Sequence, residues 1–69
     1  MNTQLESLAE VGLLARQKRE EAELLAERLR ADPAAAELGY ADALRHIAEK
    51  WLIIERTAAN DAERISRPS

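Results

Sequence analysis

The chain predicts an all-α fold: a two-helix antiparallel hairpin that dimerises into a four-helix bundle. Three observations lead there. Its 69 residues are rich in Ala, Leu, Glu and Arg, the strongest helix formers. Two long segments with apolar residues at helical spacing flank a single break. The second segment carries apolar side chains around about half its circumference, a wider arc than one neighbouring helix covers.

The first helix is expected over 4–31. Thr3 is followed three residues later by Glu6, the capping-box pattern in which hydroxyl and carboxylate satisfy free backbone N–H groups. At about 100° per residue, Leu8, Val11, Leu14, Ala15, Lys18, Ala22, Leu25, Ala26 and Leu29 share one face. Gly12 falls mid-helix at a cost of roughly 1 kcal/mol against alanine, and either marks a close backbone contact or marks nothing. The connection, 32–39, opens with Asp32-Pro33, a cap followed by a first-turn proline. It predicts a short helical turn stopped by Gly39. The second helix, 40–65, carries Asp42 in its first turn, where a negative charge meets the positive end of the helix dipole. Its main stripe is Tyr40, Leu44, Ile47, Trp51, Ile54, Ala58, Ala62 and Ile65, with steps close to a heptad repeat. Residues 66–69, with Pro68, form a tail.

A short connection makes the long helices antiparallel neighbours. Aligning the stripes pairs Leu29 with Tyr40, Leu25 with Leu44, Ala22 with Ile47, Lys18 with Trp51, Ala15 with Ile54, Val11 with Ala58, Leu8 with Ala62 and Leu5 with Ile65. Lys18 is then expected to lie over Trp51 with its ammonium near Glu55, a pair that sets the register. Beside the main stripe runs a second line, Ala41, Ala48, Leu52 and Ala59, at spacings of seven, four and seven. With Trp51 and Glu55, this line is the expected dimer interface, its small side chains letting a partner helix approach closely.

Composition excludes several function classes. There is no cysteine for a disulfide or thiolate metal site, and one histidine, His46, cannot make a multi-histidine site. Aromatics are 3% of the chain, too few for base-stacking platforms. A net charge of −3 disfavours generic attraction to nucleic acid or anionic membrane. No apolar run is long enough for a bilayer span or signal peptide, so a single cytoplasmic domain is expected. His46 and Asp42 lie one helical turn apart, but Ser7, Ser66 and Ser69 sit near the chain ends, which leaves no nucleophile beside them. Glu20, Glu21, Glu23 and Glu27 interleave with Arg16, Arg19, Arg28 and Arg30, a pattern of surface ion pairs rather than a metal site. Arg16, Lys18 and Arg19 are the one basic cluster, on helices too long for a helix-turn-helix reader. The reading is therefore a non-enzyme that needs no cofactor or metal.

Two further residues point outward. Leu13 and Leu24, eleven apart, fall on the back of the first helix, flanked by Arg16, Gln17, Glu20 and Arg28. An apolar centre with a polar rim is the composition of a protein-binding face. Ile53 makes a similar exposed position on the second helix.

The start of the second helix, Tyr40-Ala41-Asp42-Ala43-Leu44, followed by an alanine-lined amphipathic helix, resembles the small anti-quorum-sensing proteins of phages that infect Pseudomonas. That resemblance implies an all-helical, dimeric hairpin in a bacterial cytoplasm. It also implies inhibition, by binding, of a LuxR-type quorum-sensing activator and of the ATPase that extends type IV pili. The first helix has no aligned motif, so no binding residue is carried over there. The competing expectation is an RNA-binding hairpin dimer, since acidic proteins of this size and shape modulate plasmid RNA pairing.

Overall fold

The structure, a computed structural model, describes residues 2–67. Pro68 and Ser69 of the expected tail lie outside the described residues. The chain is all-helical: α1 (Thr3–Arg30), α2 (Pro33–Glu37) and α3 (Tyr40–Ser66), with the long α1 and α3 packed against each other.

Asn2, not Thr3, caps α1. Its Oδ1 accepts from the backbone N–H of Gln4 at 3.1 Å and of Leu5 at 3.2 Å. Asparagine is at least as good a cap as threonine, and here one oxygen satisfies two free donors. Thr3 thereby becomes the first helical residue, and Glu6 adds a favourable charge to the first turn. At the other end Arg28 and Arg30 complement the negative end of the dipole. Asp32 then caps α2, its Oδ1 accepting from the Ala34 N–H at 3.1 Å, with Pro33 in the first position as expected. The Gly39 N–H donates to the Ala36 carbonyl at 3.3 Å and its φ is +76°. That left-handed conformation, cheap only for glycine, turns the chain back into α3.

The seam between α1 and α3 follows a seven-residue pattern. On α1, Leu5, Leu8, Gly12, Ala15, Arg19, Ala22, Ala26 and Leu29 are buried or half-buried. On α3 the same holds for Ala41, Leu44, Ala48, Trp51, Glu55, Ala58, Ala62 and Ile65. Both runs alternate steps of three and four, the spacing that keeps two helices in register along a shared seam. Among the described residues the buried positions are all alanine: Ala15, Ala22, Ala26, Ala41, Ala48 and Ala58. No large side chain among the described residues is completely enclosed.

This corrects two expectations. Ala41 and Ala48, assigned to a dimer interface, are 6% and 5% exposed within one chain, covered by its own α1. Of the large side chains expected between the helices, Leu5, Leu8, Leu29, Leu44, Trp51 and Ile65 are half-buried in the seam, and the others lie outside it. Tyr40, Ile47 and Ile54 of α3 are exposed, as are Val11, Leu14 and Leu25 of α1. The physical reason is spacing. Alanine at the buried positions lets two axes approach toward the short end of the usual ~8–10 Å range, and adding Val11, Leu14, Leu25, Tyr40, Ile47 and Ile54 between them would hold them apart.

Gly12 marks no close approach, because a Cβ built there meets nothing within 4 Å. Gly12→Ala is therefore expected to stabilise the hairpin by about 0.5–1 kcal/mol through lower unfolded-state entropy and better helix propensity. Urea unfolding followed by circular dichroism measures it, and a fall in stability would reveal a hidden backbone contact.

Candidate interaction surfaces

Among the described residues one ion-pair group crosses the seam. Arg19 Nε donates to Glu55 Oε2 at 3.1 Å, and Arg19 Nη1 donates to Glu23 Oε1 at 3.3 Å. The hydrogen bond to Glu55, then that to Glu23, raises the arginine pKa above its usual value and keeps it charged at any working pH. The expected partner of Glu55 was Lys18. Instead Lys18 is exposed, its Nζ 3.7 Å from Glu21 Oε2 along its own helix. Lys18 and Arg19 are neighbours on α1, about 100° apart around the helix: Arg19 takes the seam position and Lys18 turns out, while Ala15, Ala22 and Ala26 face inward as expected.

The other charged groups behave as spacing on a helix surface predicts. Arg16 Nε bonds Glu20 Oε1 at 3.1 Å, and Arg64 bonds Asp61 at the same distance. Of Glu20, Glu21, Glu23 and Glu27, expected in surface ion pairs, three lie in ion pairs along their own helix: Glu20 with Arg16, Glu21 with Lys18 and Glu23 with Arg19. His46 is exposed, its Nδ1 3.8 Å from Glu49 Oε2, in a shallow depression shared with Asp42 and Arg45. Among the described residues no group of three or more His, Cys, Asp or Glu side chains is placed to hold a metal ion. No helix among them is long and apolar enough to cross a membrane.

The hairpin has two broad sides, each with a groove over the seam near the open end. On one side Val11 of α1 faces Ile53, Ile54 and Thr57 of α3. On the other, Leu13 and Arg16 face Ala59 and Ala62 across Gly12. The first side continues toward the connection. Val11, Lys18 and Leu25 repeat every seven residues on α1, and Tyr40, Ile47 and Ile54 do so on α3. A seven-residue repeat returns to nearly the same face of a helix, so each helix contributes one row.

The six residues expected at a dimer interface are therefore split. Ala41 and Ala48 are internal, Glu55 is bound to Arg19, Trp51 and Leu52 are half-buried, and Ala59 is exposed on the second groove. The six expected at a partner face, Leu13, Arg16, Gln17, Glu20, Leu24 and Arg28, are all exposed on α1. Leu13 and Arg16 share a groove, whereas Leu24 stands about three turns further along the helix. The surface that sequence reasoning missed is the large-side-chain face, Val11, Leu14 and Leu25 with Tyr40, Ile47 and Ile54. Its signal was present in the two stripes, which were assigned to the inside of the hairpin.

Comparison with protein-family models, with curated proteins and with solved structures gave no match to this chain.

Proposed function

We propose that this chain is a non-enzymatic protein-binding module that works as a homodimer and inhibits a host protein by covering one of its surfaces. The observation that carries the reading is the outer side of α1. Leu13 and Leu24 are 60% and 51% exposed there, among charged groups that include the Arg16–Glu20 pair. Exposed leucines set among ordered polar groups suit a contact that excludes water at its centre and keeps its rim solvated. The target class comes from the resemblance of the Tyr40–Leu44 segment: a LuxR-type activator first, a pilus-extension ATPase second.

The test is binding of purified protein to each target. Leu13→Ser with Leu24→Ser should leave helicity unchanged, since neither side chain enters the seam. It should weaken binding at least tenfold, about 1.4 kcal/mol. Unchanged affinity of the folded double variant would remove this face. Failure of the unmodified protein to bind either target at micromolar concentration would defeat the target assignment. Capture from host lysate that is abolished by nuclease would favour the RNA-binding alternative instead.

A further inference from the structure

We infer that two copies of this chain meet face to face on the side bearing Val11, Leu25, Tyr40, Ile47, Trp51 and Ile54. The inference rests on the homodimer proposed above and names the surface that homodimer uses.

The first argument is the amount of surface. A folded monomer of 7.7 kDa is expected to expose ~4,300 Å², whereas the hairpin exposes 5495 Å². The excess, about 1,200 Å², is more than the ~800 Å² that one partner contributes to a stable interface. The radius of gyration points the same way: 15.9 Å against about 11 Å for a compact chain of this length. With only alanines buried outright and the seam's large residues half-buried, the hairpin buries little apolar area, and covering the exposed large side chains adds what a fixed fold needs.

The second argument is shape. The molecule measures 55 × 16 × 12 Å. Its apolar face has two parallel rows, one from each helix, each spanning about 21 Å from first to last residue. A single partner helix would settle over the central groove and leave the outer parts of both rows in water. A second hairpin presents the same two rows and covers them. Stacking two copies doubles the thinnest dimension and produces the cross-section of a four-helix bundle.

The third argument is charge. Between the ends of this face the seven-residue rows contain one charged residue, Lys18, whose ammonium is turned toward Glu21. Asp61, at the open end, is held by Arg64 at 3.1 Å. The face can therefore be buried without stranding a charge. The opposite side carries Arg16–Glu20 and the group Arg19, Glu23 and Glu55, and its leucines stand apart.

The test measures mass and accessibility. By sedimentation equilibrium the unmodified protein should have twice 7.7 kDa. Ile47→Glu, which places a carboxylate on an exposed residue of the hairpin, should weaken self-association by about 100-fold or more. Leu13→Glu on the opposite side should leave the dimer intact. Because Ile47→Glu can also loosen a marginal hairpin, a gentler pair serves as a second reading. The chain has no cysteine, so Ile47→Cys and Leu13→Cys each add one thiol. Ile47→Cys should react slowly with maleimide while dimeric and rapidly on dilution, and Leu13→Cys rapidly at both concentrations. A fully helical monomer for the unmodified protein would overturn the homodimer itself. A dimer that survives Ile47→Glu, protects Leu13→Cys and leaves Ile47→Cys reactive would overturn this face while leaving the homodimer standing.

Discussion

Ala48→Glu is expected to unfold the hairpin, not merely separate two copies of it. Ala48 is 5% exposed at the middle of the alanine seam, turned toward α1. A glutamate there adds four heavy atoms beyond the methyl, a methylene and a carboxylate, with no cation set to receive it. Arg19, the nearest cross-helix cation by sequence, is already engaged by Glu55 and Glu23. An unpaired buried charge costs about 3–5 kcal/mol, and overpacking a close seam about 1–3 kcal/mol more. A core of this size supplies only about 3–5 kcal/mol, so most of the helical circular dichroism should be lost at room temperature. Ala59→Arg is the control. Ala59 lies on the same helix eleven residues further on but is exposed, and its substitution should leave helicity nearly intact. A fully helical Ala48→Glu protein would place Ala48 on the outside and refute the alanine seam.

The second large effect is expected at Trp51. Its side chain is half-buried in the hairpin, between Ile47 and Ile54 on the face proposed to meet a second copy. Removing it loses packing within the seam and between copies together. Trp51→Ala should cost ~3–5 kcal/mol per chain, read from urea unfolding at fixed protein concentration. The indole emission should be blue-shifted in the dimer and move to the red on dilution, because one side of the ring becomes solvated. Emission as red as free indole in the concentrated, folded protein would show that nothing covers the ring.

The elements were legible in the sequence because local signals and tertiary structure agree. Asp32-Pro33 starts α2, Gly39 follows its end, and the alanine- and leucine-rich segments on either side become α1 and α3. The rotation of each helix was not legible. On α3 the stripe through Tyr40, Ile47 and Ile54 and the line through Ala41 and Ala48 are one residue apart. Both repeat every seven residues. Periodicity identifies the two faces without saying which meets the chain's own partner helix and which meets something else. Packing the full stripes inward would set more large residues between two axes that alanine lets approach closely. Arg19 and Lys18 show the same ambiguity at one residue's remove: both can reach a glutamate, and only the rotation decides that Arg19 bonds Glu55. The outward leucines, Leu13 and Leu24, were legible because each is far from either stripe.

The alanine seam inside and the large-residue face outside are separated most directly by isotope-filtered nuclear Overhauser spectra of a dimer mixed from labelled and unlabelled chains. Intermolecular contacts should appear at the methyl groups of Val11, Leu25, Ile47 and Ile54, while those of Ala22, Ala26 and Ala48 show contacts only within one chain. Intermolecular contacts at Ala41 and Ala48, with Ile47 and Ile54 silent, would contradict this arrangement and restore the alanine line to the surface between copies.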